Sequence, residues 1–244
     1  MLRYALTKFC TGFSHKRHLC LSFITHWSRS GWALCMQNVS KGRAVCIIVS
    51  LIPLLWIGSD ILFDNLGANP IQALHIRLGD WALRFLCLTL AITPIQKLTR
   101  WPGMSNYRQL LGLYSFFYAT LHLLAYLVID HALVWPIIAL DILESPYIWF
   151  GFLGYIVIFL LAITSSKSAK KIMGKKWKKL HYFIYPASIV VIVHYFLQLK
   201  GNLLEPFFYT LVVFVLLAFR VAVWFKNRQF SRLMIPKRKP IEDD

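Results

Sequence analysis

The sequence predicts an all-α integral membrane protein, a bundle of six transmembrane helices with both termini cytoplasmic. Two observations predict it. Of the 244 residues, 58% are hydrophobic and only 15% are charged, and the uncharged runs are long enough to cross a bilayer. The formal net charge is nonetheless +17, and the basic residues gather in alternate connections between those runs. Both ends and the 97–109 and 165–181 connections are basic; the 64–80, 130–146 and 200–205 connections are not. Lys and Arg concentrate on the cytoplasmic side of spans, so the alternation assigns a face to every connection. Six spans of about 20 residues use most of the chain. A basic soluble domain that binds nucleic acid is therefore not expected.

Residues 1–44 read as a basic, acid-free extension, cytoplasmic and poorly ordered, whose apolar stretches such as 19–24 are too short to span. It shows no signal-peptide core with a cleavage site. An organellar transit peptide is a weaker reading, and a start of translation at Met36 is a third. His15, His18 and His26 are expected to be solvated. The five cysteines include Cys10, Cys20 and Cys35 in this extension and Cys46 and Cys87 in spans; no C-x-x-C spacing marks a zinc site or a disulfide framework.

The membrane core is expected over 45–225. The first span is Val45–Phe63, with Asp60 near its far end, followed by the turn-rich stretch DNLGANP. Residues 71–80, with His75, read as a short link or interfacial helix. The second span, Trp81–Leu98, opens on an interfacial Trp and carries Arg84 one turn inside, to snorkel or to pair with an anion between helices. The third, Leu110–Ile129, contains His122, and His131 just beyond it reads as solvated. The fourth is Tyr147–Thr164, the fifth Tyr182–Leu199 and the sixth Pro206–Phe225. A basic tail, 226–244, follows on the cytoplasmic side.

An imidazole inside a span is expensive and marks a candidate site. His122 lies 12 residues past Leu110 and His194 lies 12 past Tyr182. Both spans run outward, so both histidines sit roughly 18 Å from the inner edge of a core about 30 Å thick. Two neutral imidazoles at one depth suit bis-imidazole ligation of a heme iron. His181 lies about 20 Å below His194 by helical rise, at a depth for a second heme, but about 140° away in phase on an ideal helix. Pro186 between them is a point where the helix can kink and re-aim a side chain. Gln109 occupies the matching position on the third span, so His181 has no imidazole partner there.

The motifs GANP (67–70), WALRFLCLTLAITP (81–94), YRQLLGL (107–113), ATLHLLAY (119–126), PYI (146–148), LAITS (161–165), GKKWKKLHYFIYP (174–186) and HYF (194–196) are specific when taken together. The chain resembles, over about 51–225, the MsrQ (YedZ) family. That family is the heme-binding membrane subunit of a bacterial periplasmic methionine sulfoxide reductase system, within the ferric-reductase-like transmembrane superfamily. The resemblance implies heme b as cofactor and His122, His181 and His194 as heme-associated residues, His181 the least firmly. It associates the family with FMN, for which no motif here offers a site. It implies a bacterial inner-membrane location and a periplasmic molybdenum-containing methionine sulfoxide reductase as partner. Two departures stand out: the length of 1–44, and His75, about a residue away from where family members often carry a histidine.

The expected function is a membrane electron conduit that does not itself reduce methionine sulfoxide. The alternative is an autonomous ferric or quinone reductase. A proton-coupled transporter would carry several intramembrane acids and repeated broken helices; the spans hold little acid apart from Asp60, and no internal repeat is visible. Only about 19 residues follow the sixth span, against the roughly 30 of a dinucleotide-binding βαβ unit, and no G-x-G-x-x-G loop occurs. Oxidation of NAD(P)H unaided is not expected, so a flavin reductase or quinol is the expected donor. The basic inner face suits an anionic donor and equally anionic membrane lipid.

The topology has a direct check. Reporter fusions after Lys171 and in the tail should report a cytoplasmic location, and fusions near Asn69 and Asp141 a periplasmic one. A periplasmic signal at Lys171 overturns the six-span arrangement.

Overall fold

A computed structural model describes residues 41–198 and 203–234. The expectations for Cys10, Cys20, Cys35, His15, His18, His26, Met36, the 199–202 part of the last connection and the end of the tail lie outside these residues. The chain divides into two units, 1–49 and 50–244. Of the first, only 41–49 are described, and they are helical. The second holds the site.

The described residues are helical and contain no strand: α1 (Lys41–Leu62), α2 (Pro70–Thr99), α3 (Ser105–Leu124, running on as a π-helical turn over Ala125–Asp130), α4 (Trp135–Glu144), α5 (Pro146–Ile163), α6 (Lys167–Met173), α7 (Lys175–His181), α8 (Ile184–Gln198) and α9 (Leu204–Met234). Six of these stretches are long and apolar enough to cross a membrane: Lys41–Leu62, Pro70–Thr99, Ser105–Asp130, Pro146–Ile163, Lys175–Gln198 and Leu204–Gln229.

The largest difference from the expected spans is α2. Residues 71–80 are not a separate link; they are the first turns of a single 30-residue helix. Asn69 caps it, its side chain accepting from the N–H of Gln72, and Pro70 stands at the first helical position, where its missing N–H costs nothing. The polar residues that made this stretch look like a link are paired. Arg77 bonds Asp60 of α1. Arg84 donates from Nε to the Tyr209 hydroxyl at 2.8 Å, lies 3.5 Å from Asp80, and covers the Trp81 ring. Buried Asp80 thus adds an acid to the span.

The fifth span is broken. Tyr182 and Phe183 form a turn between α7 and α8, just ahead of Pro186. Proline has no N–H to return to the carbonyl four residues back, which is that of Tyr182. The N–H groups of Tyr185 and Ala187 bond the carbonyls of Tyr182 and Phe183 instead. The ideal-helix phase between His181 and His194 therefore does not apply. At the far end, α9 runs on through Met234, past the expected limit of the sixth span.

Packing is closest between α2 and α3 and between α5 and α8. Leu83, Leu86 and Cys87 of α2 meet Ile192 and Tyr195 of α8 and Val213 of α9 in one buried cluster. Tyr118 of α3 is fully buried, stacked on Phe85 at 5.3 Å, and gives its hydroxyl hydrogen to the Ser50 carbonyl at 2.9 Å. Arg220 ties α9 to two neighbours, donating to the Leu90 carbonyl (3.0 Å), to Thr93 Oγ1 (2.8 Å) and to the Tyr185 hydroxyl.

Interhelical hydrogen bonds of this kind contribute about 1 kcal/mol each. Arg220→Met should therefore lower stability by about 2 kcal/mol and reduce the thermal midpoint of the solubilised protein. Arg220→Lys should not restore it, because an ammonium lacks the planar fork that reaches three acceptors.

Candidate functional site

A cavity of about 960 Å³ lies among α2, α3, α5 and α8. Its wall includes His75, Gly79 and Leu83 of α2, Ser115, Ala119 and His122 of α3, Tyr147, Gly151 and Tyr155 of α5, and Val191 and His194 of α8.

His122 and His194 face this cavity together. Their ring centroids are 6.3 Å apart, with the planes 79° from parallel. Each ring is held the same way. Nδ1 of His122 donates to the backbone carbonyl of His75 at 3.0 Å, and Nδ1 of His194 donates to that of Tyr147 at 2.7 Å. A carbonyl only accepts, so the proton of each neutral ring sits on Nδ1 and the lone pair on Nε2 is left bare. That is the state in which an imidazole binds a metal, with the other ring nitrogen fixed by an acceptor behind it.

The two halves match in detail. In both, the accepting carbonyl lies 47 residues before the histidine. In both, a glycine one helical turn after that carbonyl lies against the ring: Gly79 against His122 and Gly151 against His194. The α2/α3 pair and the α5/α8 pair thus repeat one arrangement, an internal repeat that was not visible in the residue pattern alone. Its only direct sequence signal is the pair of glycines.

His181 is not brought to this pair. It ends α7, stacked on Trp177 with centroids 4.0 Å apart, and its Nε2 is 3.3 Å from the Thr164 hydroxyl. Gln109, at the corresponding place on α3, donates to the Ser165 carbonyl at 2.9 Å.

Two histidines outside the expected set belong to the surroundings of the site. His75 is buried, its ring 5.6 Å from that of His122 and its Nε2 3.4 Å from Asp130. His131 is not a solvated loop residue: its Nε2 is 3.2 Å from Asp141, and Tyr126 packs edge-on against the ring at 4.7 Å. Asp141 also accepts from the Tyr126 hydroxyl at 2.8 Å and from Ser145 at 3.1 Å. This carboxylate gathers the end of α3, α4 and the start of α5 on one acceptor.

The family model for the ferric reductase like transmembrane component matches residues 78–192, a range that includes His122 and ends two residues before His194. The chain is 36% identical over 204 residues to the protein-methionine-sulfoxide reductase heme-binding subunit MsrQ of Rhodospirillum rubrum, covering 83% of this chain and 98% of that one. The chain belongs to the MsrQ family. The MsrQ of Polaromonas naphthalenivorans is 39% identical over 191 residues, 77% of this chain and 87% of its own. That of Xanthomonas euvesicatoria pv. vesicatoria is 42% identical over 158 residues, 65% of this chain and 72% of its own. No solved structure matches the chain. This is accordingly a multi-pass membrane protein, and the bacterial inner membrane is consistent with its MsrQ relatives.

Because Asp141 is shared by three donors, its loss should disorder the 126–146 segment and spare the buried histidines. Asp141→Ala should speed proteolysis or hydrogen exchange over 126–146 while leaving exchange in the interior of α8 unchanged.

Proposed function

We propose that this chain is the heme-binding electron-transfer subunit of a protein-methionine-sulfoxide reductase system, with His122 and His194 as the axial ligands of a heme b. The observation that carries this reading is the matched pair of imidazoles, each with Nδ1 spent on a carbonyl and Nε2 bare, on one cavity wall. Two imidazoles that share one metal ion at about 2 Å per bond have centroids roughly 6 Å apart, and these stand at 6.3 Å. The cavity volume is of the order that cofactor sites occupy. The donor set therefore fits the group that the names of the relatives carry.

A heme held by His122 and His194 would supply one-electron exchange. The chain's own residues do the rest. The His75 and Tyr147 carbonyls fix both tautomers and ring directions. Gly79 and Gly151 leave room for the rings. Apolar Leu83, Leu86 and Val191 keep the wall dry.

The orientation, with both termini cytoplasmic, follows from the lysine distribution: Lys167–Lys179 on α6 and α7 mark the inner face. Electrons then enter from a flavin reductase or quinol on the inner side and leave to a periplasmic molybdenum-containing reductase on the outer side, toward which His122 and His194 lie. His181, beside Thr164 and Trp177, belongs to the inner side and is proposed as a heme-associated residue near electron uptake. FMN rests on the resemblance alone, and no residue is assigned to it. Residues 1–44, 45–225 and 226–244 serve as extension, heme-binding core and basic tail.

His122→Ala and His194→Ala should each remove the heme or convert low-spin absorption to high-spin. His181→Ala should keep most of the heme and slow its reduction from the inner side. In vesicles, NADPH alone should leave the heme oxidised, a flavin reductase or quinol should reduce it, and oxidised periplasmic reductase should reoxidise it. Full retention of low-spin heme in either His122→Ala or His194→Ala removes that residue from the pair.

A further inference from the structure

We infer that Gly79 and Gly151 are positioning residues that set the directions of the two imidazoles, one glycine for each half of the repeat. This rests on the assignment of heme to His122 and His194.

Each ring is held at two places one helical turn apart. The carbonyl of His75 or Tyr147 takes the Nδ1 proton, and the bare Cα of Gly79 or Gly151, one turn further on, backs the ring. Glycine is a poor helix former, second only to proline, so a glycine inside each of these helices calls for a packing reason. At Gly151 that reason is steric. A Cβ there would stand 2.8 Å from Cε1 and 3.0 Å from Nδ1 of His194, inside the separation at which carbon atoms attract. The ring cannot retreat without straining its 2.7 Å bond to the Tyr147 carbonyl. At Gly79 a Cβ would stand 3.3 Å from Cε1 of His122, tight but not closed. Other helical glycines lack this relation: Gly58 has nothing within 4 Å, and Gly112 meets only the Thr89 side chain at 3.6 Å.

The contacts also rank the two halves. A methyl at 151 must turn or shift its imidazole; a methyl at 79 displaces its ring by less. Turning an axial imidazole changes the anisotropy of the low-spin ferric signal, and removing it opens a position at which carbon monoxide binds the ferrous iron.

The test compares Gly151→Ala and Gly79→Ala with Gly112→Ala, Gly58→Ala and the unaltered protein. All are purified as full chains at matched heme content and examined by electron paramagnetic resonance and by carbon monoxide difference spectra after reduction. Gly151→Ala should lose most of the low-spin signal and bind carbon monoxide. Gly79→Ala should shift the signal anisotropy with smaller loss. Gly112→Ala and Gly58→Ala should match the unaltered protein. If Gly151→Ala does not accumulate in membranes, Gly79→Ala decides by the same readouts. Unaltered spectra and exclusion of carbon monoxide in the alanine variants at 79 and 151 overturn the inference. Absence of a low-spin bis-imidazole spectrum in the unaltered protein overturns instead the heme assignment beneath it.

Discussion

A ring nitrogen proton in hydrocarbon must find an acceptor, and in this protein two backbone carbonyls supply it. Those of His75 and Tyr147 lie within their helices, and a carbonyl that takes a helical N–H keeps a second lone pair for another donor. Those two bonds fix the direction of both imidazoles and tie α2 to α3 and α5 to α8. A side-chain carboxylate in the same place would bring a charge into the membrane; a carbonyl does the same work without one.

Around that centre the helices are joined by a small number of polar links made within the protein. Tyr118 reaches the Ser50 carbonyl, Ser115 reaches the Ala82 carbonyl at 2.9 Å, and Arg220 spans from α9 to α2 and α8. Lipid tails are as apolar as the side chains they would replace, so apolar burial alone does little to hold helices together. These directional bonds select one packing from many that hydrophobic contact would allow. The stacked Phe85 and Tyr118 rings fill the space between α2 and α3 and stiffen the wall behind His122.

Much of the fold was legible in hydropathy, because that property is set by the solvent each segment meets. The pairing of His122 and His194 was legible as well, since equal distances from two span starts translate into equal depth. What was not legible depended on partners far along the chain. Residues 71–80 looked too polar to extend a span until Asp60 was seen beside Arg77 and Arg84 beside Asp80. His75 was given no role because it stands about a residue from the family's usual histidine, although it lies against His122. His131 looked solvated because its acceptor, Asp141, follows ten residues later on another helix. The repeated carbonyl contacts leave no residue-type signature at all, since any residue carries a carbonyl.

The π-helical turn over Ala125–Asp130 has a consequence for how such a protein can change over time. A π turn accommodates one residue more than an α-helix does over the same length. Placed directly after the helix segment that carries His122, it forms a slip joint between that segment and the Asp141 segment that follows. Beyond it, a residue gained or lost in the Asp141 segment can be taken up without altering the bearing of the His122 imidazole.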